Sequence, residues 1–180
     1  MNQFNRPTLR KAEFIKPPNI LKAKVGGGGL AEDILNKAEK LLEENTVDFV
    51  PLGEMYLDAL GRGLQEAREN MNDPGDHENI ISGMLYPGMQ LKGNGGMFHY
   101  ALVTTIANTL VQFLEVIERV DAEAIEIAQG CHTTLRAVIQ GRIKGDGGQR
   151  GKELHQALLD ACDRYFSKHP QNKVLEQIPD

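Results

Sequence analysis

Apolar residues recur along this chain at three- and four-residue spacing, and no stretch alternates apolar with polar, so the pattern predicts helices and no strand. From Ala31 to Glu44, the positions Ile34, Leu35, Ala38, Leu41 and Leu42 share one side of a short amphipathic helix, with Glu32 and Asp33 in its first turn. Asn45-Thr46-Val47-Asp48 breaks that helix, and Pro51, tolerated in a first turn, opens a second that runs to about Met71. Its buried side is Phe49, Leu52, Tyr56, Leu60, Leu64 and Ala67. After the turn Asn72-Asp73-Pro74-Gly75-Asp76, a third helix buries Ile80, Met84, Pro87, Leu91 and Phe98, with Pro87-Gly88 as a candidate kink and an end near Met97. Tyr100 to Arg119 is apolar through Val103, Ile106, Ala107, Leu110, Phe113, Leu114 and Ile117. Asp121 then caps a helix reaching about Ile143, and so short a turn makes those two helices antiparallel neighbours. Ile125, Ala128, Cys131, Leu135, Val138 and Ile139 continue the core. Beyond the loop Lys144 to Gly148, a last helix from about Gly151 to Lys168 buries Leu154, Leu158, Ala161, Cys162 and Tyr165. The class is all-α: a four-helix bundle with additional helices and an irregular N-terminal arm.

Charge separates that arm from the rest. Met1 to Val25 carries six cations against Glu13 alone, a formal +5 set against −10 for the remainder of a chain whose net charge is −5. Arg6-Pro7 and Lys16-Pro17-Pro18 favour extended backbone, while Phe14, Ile15, Ile20 and Leu21 supply apolar anchors. Gly26 to Gly29 lack the spaced lysine of a phosphate-binding loop and read as a hinge. The expected organisation is an arm and hinge over residues 1–29 and a helical-bundle domain over 30–180. Six cations without interleaved aromatics make a thin nucleic-acid footprint, so the arm is expected to fold on its own acidic body or on a second copy, forming a homodimer. No apolar run reaches a membrane span and no secretion signal is evident, so a cytoplasmic place is expected. Cys131 and Cys162 fall on apolar stripes as buried thiols. The five histidines are scattered without ligand spacing, so no metal and no cofactor are expected.

The stretch with chemical character is Met89-Gln90-Leu91-Lys92-Gly93-Asn94-Gly95-Gly96-Met97-Phe98. On a helix Met89, Lys92, Gly93 and Gly96 line one nearly bare stripe: two glycines open the backbone to close approach and one lysine supplies a lone positive charge. Each helical glycine costs about 1 kcal/mol against alanine, so Lys92 to Gly96 also fits a plain loop between helices. The segment resembles the motif of histidine phosphotransfer domains, His-x-Leu-Lys-Gly followed by small residues and an aromatic. The likeness extends from Ile80 through Gly95-Gly96-Met97-Phe98 to the helix ending in Phe113-Leu114-Glu115. A fainter similarity is to CheE-type accessory proteins of bacterial chemotaxis. The departure falls on the phosphoacceptor: Met89 stands where the family has histidine, and a thioether has no nitrogen to carry a phosphoryl group.

The resemblance implies a four-helix bundle in a two-component phosphorelay. Its bare face, Met89, Gln90, Lys92, Gly93 and Gly96, would dock a response-regulator receiver domain or a histidine kinase, without phosphotransfer catalysis. Two further readings stand beside it. An active phosphotransferase would use His132, in Cys131-His132-Thr133-Thr134-Leu135-Arg136, or His99. There, leucine and cation stand one residue too far from His132, a rotation of about 100° around the helix. The other reading is a plain homo-oligomerising protein.

Overall fold

The helical spacing is realised as six α-helices among the residues that the computed structural model describes, 31–44, 46–73 and 77–173. These are α1 (Glu32–Glu43), α2 (Val50–Asn70), α3 (His77–Met97), α4 (Ala101–Val116), α5 (Ala122–Gln140) and α6 (Gly148–Lys168). The arm and hinge expected over residues 1–29, with the dimer contact assigned to them, lie outside the described residues.

The chain divides into two compact units between Leu41 and Leu42, so most of α1 belongs to the first and the other five helices to the second. The expected boundary at 29/30 lies outside the described residues. Ile34, Leu35 and Leu41 of α1 are exposed.

In the second unit, α2, α3, α4 and α5 form a closed ring in which each helix packs on the next and α5 returns to α2. Neighbours run in opposite directions. Tyr56 reaches Gln90 while Gly63 meets Gly83, Gly95 meets Thr104 while Gly88 meets Val111, and Gly53 meets Ile139 while Arg68 reaches Gln129. The expected interior residues of α4 and α5 are all buried. α6 lies outside the ring against α4 and α5, where Thr109 and His155 are hydrogen-bonded at 3.0 Å and Phe113 packs edge-on against Tyr165. With only two helices beneath it α6 buries a narrow stripe, so Leu154, expected in the core, is 46% exposed, and Leu158 and Ala161 are half-buried.

Helix ends show what spacing leaves out. α4 stops at Val116 because Ile117 turns extended (φ −73°, ψ 136°), three residues short of the expected Arg119. α5 ends at Gln140, before the expected Ile143. α6 begins at Gly148, within the expected loop, where the Asp146 carboxylate accepts the Gly148 amide at 2.9 Å. Asp121 caps α5 as expected, accepting the Ala124 amide at 2.8 Å.

α3 runs as one helix through Pro87, although proline removes the amide that would bond the Gly83 carbonyl. That carbonyl faces α2, where a Cβ on Gly63 would lie 2.8 Å from its oxygen, so the absence of a side chain at 63 lets the two backbones meet. At the far end of α3 the same device recurs. A Cβ on Gly95 would stand 2.7 Å from Thr104 Oγ1 and 2.9 Å from the Thr104 amide. Thr104 donates instead to the Lys92 carbonyl at 3.1 Å, fixing α3 to α4.

Two long-range ties close the unit. The Gly145 amide donates to the His99 carbonyl at 2.7 Å and the Leu102 amide to the Gly145 carbonyl at 2.9 Å, pairing the α3–α4 turn with the α5–α6 loop. Beyond α6, buried Asn172 accepts the Arg119 amide at 2.7 Å, donates to the Arg119 carbonyl at 2.8 Å and also donates to the Tyr165 hydroxyl, which in turn donates to Asp121.

Candidate functional site

Buried positions of α3 at Ile80, Met84, Pro87, Leu91 and Gly95 turn the opposite side of the helix outward. Met89 is on that side near the middle of α3, 51% exposed. Gly93, one turn on, is exposed, and a Cβ there would find no atom within 4 Å. Lys92 is half-buried, and its ammonium makes no ion pair among the described residues. Gly96 completes the stripe, also exposed, with Thr104 Oγ1 3.7 Å from where its Cβ would be. The loop reading of Lys92 to Gly96 is therefore superseded: all five residues are helical.

Gln90 differs from the rest of the expected docking set. It faces α2, where its side chain accepts a long 3.4 Å hydrogen bond from the Tyr56 hydroxyl, and its carbonyl accepts from Asn94 Nδ2 at 2.8 Å. It holds the helix pair together behind the exposed face. The spacing analysis passed over Tyr86, three residues before Met89 on the same outward side and 65% exposed. Its signal was negative, since it is an aromatic residue of α3 that fits no burial stripe. Tyr86, Met89 and Gly93 make an exposed strip, open above Gly93 and flanked by Lys92. Such a surface offers contact area, close backbone approach and one cation that an anionic or phosphorylated group could meet.

The alternative acceptors are placed differently. His132 is 7% exposed, facing α2 from α5. Its Nε2 lies 3.0 Å from the Leu57 carbonyl, which can only accept, so that nitrogen carries the proton and Nδ1 accepts from Gln129 at 3.3 Å. Burial pushes its pKa down, with Arg136 adding to the shift while the Leu57 carbonyl and Asp58 oppose it. Both ring nitrogens are committed, and neither is open to a phosphoryl donor. His99 is half-buried in the turn after α3 at φ 66°, a left-handed position that ends the helix, and its carbonyl is taken by Gly145.

Cys131 and Cys162 are buried, which pushes their thiols up to about 12 and about 11, so neither is a thiolate near neutral pH. Among the described residues no group of His, Cys, Asp and Glu could hold a metal ion, and no helix is long and apolar enough to cross a membrane. Comparison with protein-family models, with curated proteins and with solved structures returns no match for this chain.

Proposed function

We propose that this protein is a non-catalytic signalling module of the phosphorelay class, docking a response-regulator receiver domain, or a histidine kinase, through the outward face of α3. The observation that carries the reading is Met89 itself, half exposed in mid-helix at the position of the resembled family's acceptor, with Lys92 beside it and open space over Gly93. A buried Met89 would have made the likeness an accident of core packing. The thioether offers no phosphoryl acceptor, so the face binds without turning over, and such a module sequesters a partner or competes with a true phosphotransferase. The cytoplasm is where such partners meet it, and no cofactor takes part.

The test is direct binding to purified receiver domains from the same cell. The parent chain is expected to bind at least one saturably. Lys92→Glu reverses the lone cation and Gly93→Leu fills the open approach, and each is expected to weaken that binding about tenfold or more while the fold persists. Absence of any receiver or kinase binding, or equal binding by both variants, would remove the proposal.

A further inference from the structure

One turn before Met89 along α3, where that helix packs on α4, a groove of about 410 Å³ opens between the two helices. Its floor is apolar, built from Ile81 and Leu85 of α3 with Leu114 and Ile117 from α4 and the residue after it. Its rim is acidic: Glu78, Glu115 and Glu118 are all exposed, and no ion pair among the described residues engages any of them. No cation lines the groove.

We infer that this groove is a second docking site, taking a cationic amphipathic helix of a partner protein, with apolar residues on one side and Lys or Arg flanking them. Charge complementarity fixes the sign of the ligand: three unpaired carboxylates around an apolar floor repel an acidic segment and attract a basic one. The floor fixes its form. Ile81 and Leu85 are four residues apart and Leu114 and Ile117 three apart, so the floor is a trough between two parallel ridges, which an apolar helical stripe at i, i+3 and i+4 fills. The chain's own basic arm matches the sign but not the form, since Pro17-Pro18 stands between its apolar pairs Phe14-Ile15 and Ile20-Leu21 and a helix interior excludes it. The groove uses none of Met89, Lys92 and Gly93, so it stands independently of the receiver-docking reading.

The probe is a fluorescein-labelled synthetic helix of Leu, Ala and Lys, its leucines on one face and lysines beside them, titrated with the full chain by fluorescence anisotropy. Saturable one-to-one binding that weakens with added salt is expected. The combined variant Glu78→Gln, Glu115→Gln, Glu118→Gln changes only exposed side chains and should stay folded, checked by circular dichroism, while weakening binding about tenfold. Ser82→Arg, which sets a bulky cation at the edge of the groove, should weaken it independently. Equal binding by the parent and these variants would overturn the inference, as would equal binding of a control peptide with Ser in place of Leu, which would reduce the effect to charge alone. Tighter binding of a synthetic Met1–Val25 peptide at the same groove would assign it to the chain's own arm. A dimer that the probe helix dissociates would assign it to a second copy. Either result would overturn a partner helix.

Discussion

Gly93 and Gly95 are two residues apart and identical in sequence, yet a methyl group does opposite things at the two sites. Above Gly93 there is open space, so Gly93→Ala should simply recover the helix propensity that glycine forfeits and raise stability by about 1 kcal/mol. At Gly95 the same methyl runs into Thr104, and Gly95→Ala should lower stability by about 1–3 kcal/mol. Urea denaturation of the two variants checks both signs. His132 gives a pH-dependent counterpart. Burial holds its imidazole neutral in the folded chain, whereas the unfolded chain takes up a proton near pH 6.5. Its contribution is therefore complete above that value and is lost as pH falls through it toward the lower folded value. The thermal midpoint should drop on acidification from about pH 7.5 to about pH 5.5, and His132→Gln should flatten that drop. A parent and variant with equal slopes would mean the site does not discriminate protonation states.

At the scale of the element, α3 combines a proline, buried glycines and an exposed methionine in one unbroken helix. The burial stripe was legible because Ile80, Met84 and Leu91 follow helical spacing, and the outward place of Met89 follows from it by elimination. Neither the proline's tolerance nor the need for Gly63 was legible, since both depend on a backbone contact with α2 that no local pattern encodes. The mispositioned ends of α4 and α6 have a similar origin, in an extended turn at Ile117 and an aspartate-capped loop at Asp146. Of the expected docking set, Met89, Lys92, Gly93 and Gly96 share the outward side, while a one-residue step turns the half-buried Gln90 toward Tyr56 of α2. If α3 retains the resembled family's geometry, Met89→His should set an imidazole on the exposed face with Lys92 alongside. The change costs within about 0.5 kcal/mol at so exposed a position. Incubation with a radiolabelled phospho-receiver that the parent binds should then label Met89→His and not the parent. A folded, receiver-binding variant that stays unlabelled would show that the surroundings no longer support transfer, and a labelled parent would show that another residue accepts.

The bundle as a whole is closed at one end by the paired turns, where Gly145 bonds both His99 and Leu102. That pairing brings together positions separated by two complete helices, α4 and α5, so it carries a loop-closure cost and belongs among the contacts formed late in folding. Once formed, its two amides open together or not at all. In hydrogen exchange the Gly145 and Leu102 amides should share one opening free energy, and both should exchange far more slowly than the neighbouring exposed Lys144 amide. Independent exchange at the two sites would mean that the turns breathe separately. A shared opening has a consequence for recognition: the last turns of α3, from Gly93 to Met97, are clamped against fraying before any partner arrives. If a partner docks on this face as proposed, little ordering entropy is lost on association, which favours a fast encounter and leaves more of the contact energy as affinity.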